Sequence, residues 1–311
     1  MKFKVSIIIA TYNQSEKIKE TLKSLINQRF ENWECIVADD KSTDDTHVFV
    51  KEMICKDARI KYFLCPDTVL KGPNGARNYG IQKSTGDLIM SLDSDDLLHE
   101  NYLQAKVRVF EENPSIDGVL SKTIMINDNK EEINYEKRTK LTDNLLEDFI
   151  TLKVSWYMHD ILWNKEFFKG KMLYNEDLLK MLDRDFHIRR IIEEPKLIFL
   201  DEYLAYYRVY GNSNSTNQKI AVIESRHRAV INLILLLKRK NLLTNKMSFY
   251  FLKFQIKNIV VLYKSPKCIY LYSELLKHAF ILNFKNVIWV LRLFLGYISF
   301  KITKRGLIFI K

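Results

Sequence analysis

The feature that most constrains the fold lies in the first 125 residues, where short β-branched or apolar runs alternate with segments of helical period. That alternation is the pattern of parallel strands joined by crossover helices. The expected strands are Val5 to Ala10, Cys35 to Ala38, Ile60 to Leu64, Asp87 to Leu92 and Gly118 to Met125. Between the first two, Ile18, Leu22, Leu25 and Ile26 share one helical face, and Asn13 followed by Glu16 reads as a capping-box-like start. Gly72, Pro73 and Gly75 mark a loop before a second short helix carrying Arg77 and Asn78. A third helix is expected from Glu100 to Glu112, ended by Asn113 and Pro114.

Beyond Met125 the pattern weakens, and the polar stretch from Asn127 to Lys140 reads as loop or ribbon on a rim. From about Lys219 the chain becomes helical segments rich in Leu, Ile, Phe and Tyr, with a domain change near Asn217. This divides 311 residues into 1–217 and a helical, basic region 218–311, the first part splitting again into 1–125 and 126–217. The four cysteines lack Cys-x-x-Cys spacing and the six histidines form no His-x-x-x-His pair, so neither a disulfide framework nor a zinc site is indicated. The apolar run near the start is too short for a signal peptide or a spanning helix, and the expectation is a protein of the cytoplasm. The formal charge of +11 is local: twelve Lys and Arg face one acid from Lys246 to Lys311, leaving 37 of each sign before it.

In an open parallel sheet, ligands sit beyond the carboxyl ends of the strands. Thr11, Tyr12 and Asn13 follow the first strand, Asp39 to Asp44 the second, and Asp93, Ser94, Asp95 and Asp96 the fourth. No Gly-x-Gly-x-x-Gly or Gly-Lys-Ser/Thr turn follows any of them, which argues against a dinucleotide dehydrogenase or a P-loop ATPase. Acids crowded at one strand tip repel unless a cation joins them. Mg²⁺ or Mn²⁺ held by one or two carboxylates and by phosphate oxygens meets that need, and helix capping near His99 is the structural alternative. At the neighbouring tips Tyr12 can stack on a base, Asp40 can accept the imide N–H of uracil, and Arg77 can add charge near a nucleotide. Each has an ordinary counterpart as a core tyrosine, a turn aspartate or a solvated arginine.

Taken together these segments, VSIIIATYN (5–13), SLINQ (24–28), VADDKSTDDT (37–46), GPNGARNYG (72–80) and GDLIMSLDSDD (86–96), resemble the family-two glycosyltransferases of bacterial surface-polysaccharide type. The resemblance covers about two-thirds of the chain and implies a GT-A fold, a Rossmann-like, mostly parallel sheet flanked by helices. It implies donor contacts from Ala10, Thr11, Tyr12, Asp40 and Arg77, and makes Asp93 and Asp95 the family's metal-binding Asp-x-Asp pair. Further on, YNEDL (174–178) and LDRDFHIR (182–189) align with the stretch that supplies the catalytic base. Asp183 falls on the base, with Asp177 and Asp185 as rivals; Leu182 and Arg184 depart from the family pattern. An inverting transfer needs such a carboxylate to take the proton of the acceptor hydroxyl. Tyr206, Tyr207 and Arg208, followed by Gly211, Asn212 and Ser213, resemble the end of the catalytic domain, with Arg208 at the diphosphate or bracing a loop. Trp163 matches the acceptor-side aromatic, and a buried core position is its alternative.

The expected activity is transfer of a sugar from a nucleoside-diphosphate donor, UDP in particular, to a glycan or lipid-linked acceptor. The tail mixes aromatic and aliphatic residues with Lys and Arg, which suits an anionic membrane face reached from the cytoplasm, or a helical subdomain. A catalytically inactive nucleotide-sugar or partner binder of the same fold is the second reading. Nucleic acid ranks below both, because the neutral body carries no recognisable binding module.

Overall fold

The computed structural model describes residues 3–209, 220–262 and 266–282, together with 288, 290–292, 294–296 and 299. The expected change near Asn217, the stretch Gly211 to Ser213, Trp289 and the basic residues Lys285, Lys301, Lys304, Arg305 and Lys311 lie outside the described residues. Two compact units divide the chain: Met1–Asp143 with Val154–Glu176 and Arg189–Ser213, and Asn144–Lys153 with Asp177–Ile188 and Asn214–Lys311. The units are therefore interleaved in sequence, where a single change of domain was expected.

The first unit holds β1 (Val5–Thr11), α1 (Ser15–Ile26), β2 (Trp33–Asp39), α2 (Thr46–Lys56), β3 (Ile60–Leu64), α3 (Pro73–Lys83), β4 (Leu88–Ser91), β5 (Leu97–Leu98), α4 (Tyr102–Glu112), β6 (Gly118–Ile126), β7 (Glu132–Tyr135), β8 (Ile161–Asn164) and β9 (Leu197–Arg208). Their strands form one sheet in the order β3-β2-β1-β4-β8-β6-β9-β5, with β7 paired to β6. β3, β2, β1 and β4 are mutually parallel, and β8 enters antiparallel between β4 and β6. β6 and β9 are again parallel.

β2 is buried at every position and β1 at all but Ala10, which is why they read as near-continuous apolar runs. α1 turns Ile18, Leu22 and Leu25 into a core shared with Ile7, Ile9 and Val37. The register sets Thr11 opposite Asp39, and Asp39 opposite Leu64, so the first three strand tips end level.

Two details differ from the sequence reading. Asn13 does not cap α1: it adopts φ 52° and its Oδ1 accepts the N–H of Thr43, while the helix starts at Ser15. The two acceptors that cap here belong to Asp44, which takes the N–H groups of Ser15 and Thr46 and so joins the starts of α1 and α2. Secondly, α3 begins at Pro73, a favoured first position, and Gly75 lies inside it. A Cβ on Gly75 would stand 2.0 Å from the Leu70 carbonyl oxygen, and one on Gly80 would stand 2.6 Å from Ile8 Cγ2. Both glycines let α3 approach its neighbours.

At the amino ends of the strands, Glu34 is 2% exposed on β2. Oε1 accepts from Ser6 Oγ (2.7 Å) and from Thr85 N (2.6 Å) and Oγ1 (2.9 Å); Oε2 accepts from Lys4 (3.1 Å) and Lys61 (2.7 Å). This one carboxylate ties β1, β2, β3 and the loop before β4.

The second unit contains α5 (Leu145–Ile150), the first part of α6 (Leu182–Ile191), α7 (Ile220–Arg239), α8 (Asn245–Ile259) and α9 (Pro266–Leu282). Ile223, Leu252, Ile256, Leu271, Leu275 and Val290 build its core. Among the described residues no helix is long and apolar enough to cross a membrane.

Candidate active site

The carboxyl ends of β1, β2 and β4 bring the expected donor residues to one edge of the first unit. Ala10 is half-buried and Thr11 buried, and the Thr11 carbonyl accepts the N–H of Asp40 at 2.9 Å, which locks the two tips together. Tyr12 is 45% exposed, with Lys71 Nζ 5.2 Å from its ring centroid. An open aromatic face beside a lysine suits a base carrying phosphates. Asp39 is committed to structure, accepting from Ser42 N and Tyr62 Oη, each at 2.7 Å. Asp40 is buried, and its Oδ2 accepts the N–H of Gly72 at 2.8 Å, so one of its oxygens anchors the loop that leads into α3.

Arg77 projects from α3 and is buried. Its guanidinium donates to Asn74 Oδ1 at 3.2 Å and to Asp93 Oδ1 at 2.6 Å, and sits 5.5 Å from the Tyr174 ring. The segment Tyr174–Glu176 is fastened beside it. Asn78 Nδ2 donates to the Tyr174 carbonyl and to Glu176 Oε1, Asn74 Nδ2 donates to the Asn175 carbonyl, and Tyr174 Oη lies 2.8 Å from Ser91 Oγ. Asn74, Asn78 and Tyr174 thus pack around Arg77; the sequence reading placed Asn78 on the same helix and Tyr174 in the YNEDL stretch without giving any of the three a role.

The three acids after β4 have separate fates. The Asp93 side chain is 35% exposed and Asp95 is half-buried, whereas Asp96 points inward. Asp96 Oδ1 accepts the Arg208 N–H at 2.9 Å, and Oδ2 lies 3.0 Å from His159 Nδ1, an ion pair more than a well-aligned hydrogen bond. His159 Nε2 lies 3.1 Å from Thr123 Oγ1, which donates its single proton to Asp160 Oδ1. The Thr123 hydroxyl therefore lies between the His159 ring and the Asp160 carboxylate. Burial alone would lower the His159 pKa; the facing carboxylates, Asp96 first, outweigh it and raise it to about 9. Beneath, buried Lys106 donates to Tyr102 Oη and to the Asp160 carbonyl, and Tyr102 Oη donates to the His159 carbonyl. Burial drives the Lys106 pKa down, with Asp160 opposing.

Arg208, expected at the diphosphate or bracing a loop, is buried and braces. Nε donates to the Asp95 carbonyl at 3.1 Å, Nη1 to the Asp128 carbonyl at 3.2 Å, and Nη2 to Glu20 Oε2 at 2.6 Å. Trp163, expected to offer a face to the acceptor, is 3% exposed on β8, stacked on Phe167 at 5.4 Å and met edge-on by Phe168. That is a core position, and the acceptor role does not fit it.

Asp177, Asp183 and Asp185 belong to the second unit. Asp177 is exposed and Asp183 half-buried in the first turn of α6, where the helix dipole favours a charged carboxylate; Asp185 is buried. Arg184, at the position of the family's aromatic, donates to the Ile150 carbonyl and lies over the rings of Tyr250 and Phe254.

For a divalent cation, Asp93 and Asp95 offer hard oxygens on a partly open tip, while Asp96 is turned away. Among the described residues no cluster of three His, Cys, Asp or Glu side chains gathers. Two carboxylates completed by phosphate oxygens fit the coordination habit of Mg²⁺ or Mn²⁺ in phosphate sites.

A mostly parallel sheet with helices on its faces and acids at the strand tips is the GT-A architecture of glycosyltransferases. The signature described as "Glycosyl transferase family 2" matches residues 6–183, and the chain belongs to that family. It is 28% identical over 220 residues to the GalNAc(5)-diNAcBac-PP-undecaprenol beta-1,3-glucosyltransferase of Campylobacter jejuni, covering 67% of this chain and 71% of that one. To the Escherichia coli UDP-Glc:alpha-D-GlcNAc-diphosphoundecaprenol beta-1,3-glucosyltransferase WfgD it is 34% identical over 142 residues, 46% of this chain and 54% of the other. The matched stretch spans only 15% of one curated relative and 72% of another. Among solved structures, S. aureus TarS 1-349 in complex with UDP-GlcNAc superposes with a TM-score of 0.61 at 18% identity, over 96% of this chain and 82% of that one, a likeness of fold.

Proposed function

We propose that the protein is a metal-dependent, inverting glycosyltransferase that moves a sugar from a UDP-type donor to a lipid-linked glycan acceptor in surface polysaccharide or glycoconjugate synthesis. The observation that carries this reading is the division of labour after β4, with Asp93 and Asp95 half-buried and Asp96 withdrawn, while the exposed Tyr12 follows the neighbouring strand β1. Tyr12 stacks on the base, Asp40 accepts from it with the oxygen not committed to Gly72, and Lys71 and Arg77 supply positive charge. Mg²⁺ or Mn²⁺ held by Asp93 and Asp95 would neutralise the leaving diphosphate. Asp183 takes the proton from the acceptor hydroxyl, with Asp177 and Asp185 as its rivals. The two undecaprenol-linked acceptors in the relatives' names support the lipid-linked class, and the UDP-Glc and UDP-GlcNAc of relative and neighbour support the donor.

An acceptor of that kind would be met at a membrane, on its cytoplasmic face. The second unit suits peripheral contact: Ile269 is 73% exposed and Tyr270 more than half exposed on α9, next to exposed Lys267.

Calorimetric titration with UDP, with and without Mn²⁺, tests the reading. The expected result is binding that needs the metal and is lost in Asp95→Ala while the melting temperature is kept. Asp183→Asn should bind UDP normally and transfer no sugar. If Asp177→Asn alone behaves that way, the base is reassigned; if folded wild type binds no nucleotide, the transferase reading fails.

A further inference from the structure

The buried group left over from this mechanism is His159. It lies in the turn ahead of β8, 1% exposed, and nothing about the reaction requires a histidine there. What it touches is informative. Its Nδ1 faces Asp96, the residue adjoining Asp95, and Asp96 is also held by the backbone N–H of Arg208 while the Arg208 guanidinium holds the Asp95 carbonyl. The loop that bears Asp93 and Asp95 is thus gripped from behind at two points, and His159 supplies the second.

We propose that His159 is a positioning residue that acts through Asp96 to set which carboxylates of the Asp93–Asp96 loop are presented to a diphosphate-bound divalent cation. The inference rests on the donor-site reading above. Three carboxylates occupy four consecutive positions; Asp93, paired through Oδ1 with Arg77, and Asp95 are half-buried, whereas Asp96 is buried. An inward Asp96 is tenable because the His159 imidazole faces its Oδ2 at 3.0 Å while the Arg208 N–H holds its Oδ1; a buried carboxylate that loses one of these two partners is disfavoured. Without the imidazole the side chain is expected to rotate outward or shift the turn, placing a third acid among Asp93 and Asp95. The ring itself is held in place on its far side. Thr123 meets Nε2, Asp160 fixes Thr123 and the N–H of Tyr157, and Tyr102 and Lys106 hold the backbone carbonyls of 159 and 160. Partners behind the ligating groups of metal sites typically tune affinity by about 10–100-fold.

Stereochemistry supplies a test that a merely structural role would not pass. The amide nitrogen of asparagine falls where histidine carries Nδ1, and that of glutamine where it carries Nε2. His159→Asn therefore keeps a donor toward Asp96 and loses Thr123; His159→Gln keeps Thr123 and loses Asp96. UDP binding is measured by calorimetry across a Mn²⁺ series for wild type and both variants, with thermal melts alongside. The expectation is that both variants melt lower by similar amounts, while Mn²⁺-dependent UDP binding weakens about tenfold or more in His159→Gln and only about threefold or less in His159→Asn. Equal binding by the two variants, or binding losses that follow the melting temperatures, overturns the proposal. Wild type failing to bind UDP with Mn²⁺ overturns the donor-site reading and this inference together; wild-type binding with unaffected variants overturns only this one. Should neither His159 variant fold, the isosteric Asp96→Asn is expected to weaken Mn²⁺-dependent binding about tenfold, and unchanged binding overturns the proposal.

Discussion

Replacing Glu34 by glutamine probes how one buried carboxylate stabilises the sheet beneath the site. The carboxylate accepts from Ser6, from both donors of Thr85, and from Lys4 and Lys61, and burial, which alone would raise its pKa, is outweighed by these partners, Lys61 foremost, so that it falls well below the usual 4.5. The folded pKa is depressed, so the stabilisation is complete above the unfolded value and is lost as the pH falls through that value toward the folded one. With the unfolded group at 4.5, protonation of the unfolded chain removes about 0.8 kcal/mol of this stabilisation by pH 4 and about 2 kcal/mol by pH 3. Glutamine keeps one acceptor but turns an N–H₂ toward donors. Because Lys4 and Lys61 are 33% and 43% exposed and can rehydrate, the cost at pH 7 should be about 2–3 kcal/mol, below the full penalty for breaking a buried pair. Urea denaturation followed by tryptophan fluorescence suits the measurement, since Trp33, Trp156 and Trp163 all report on the first unit. The gap between wild type and Glu34→Gln should narrow by about 2 kcal/mol between pH 7 and pH 3. A gap that stays constant across that range would refute the assignment of the shift to this carboxylate.

Two further substitutions separate packing from chemistry. Gly80→Ala places a methyl 2.6 Å from Ile8 Cγ2; the overpacking cost of about 1–3 kcal/mol should exceed the gain of about 1 kcal/mol in helix propensity, so thermal melting should show a loss. A stabilised variant would mean that α3 has room to move off β1. Trp163→Ala should cost about 3–5 kcal/mol in urea melts and leave the acceptor KM of the surviving folded enzyme unchanged. A raised KM with intact stability would return Trp163 to the acceptor site.

How much of this was legible in the sequence follows from where the determinants lie. β1 to β4 and β6 were readable because they are mainly apolar runs, interrupted by few charges such as Glu34 and Lys61, and β1, β2 and β4 are followed by Thr-Tyr-Asn, Asp-Asp and Asp-Ser-Asp-Asp at their carboxyl ends. The GT-A architecture came with them. β9 was not readable, since its burial changes along its length and comes from pairing with β6 and β5, with register shifts near Lys122. Trp163 looked alike as a binding face or a core residue until Phe167 covered it. The roles of Arg208 and His159 depend on partners far along the chain, Arg208 meeting Asp96 across 112 positions, which no local spacing encodes. A buried charge shows in sequence only as a charge. Asp177 and Asp183 gather with the helical unit for the same reason: α5 and the start of α6 pack by contacts remote in sequence.

The grip of Arg208 on the Asp93–Asp96 loop has a consequence for how this chain can be rearranged. Every motif proposed above to meet the donor lies within the first hundred residues, so that portion looks like a portable module, ready to be exchanged with a relative's. Its acidic tip, however, is completed by the last residue of β9 and by the turn at His159. A hybrid that took residues 1–125 from one protein and the remainder from another would inherit the motifs without the parts that aim them, unless residues 159 and 208 travelled along. During synthesis, likewise, the motifs emerge well before the tip they specify can be finished. The acidic tip of this chain is written early and assembled late.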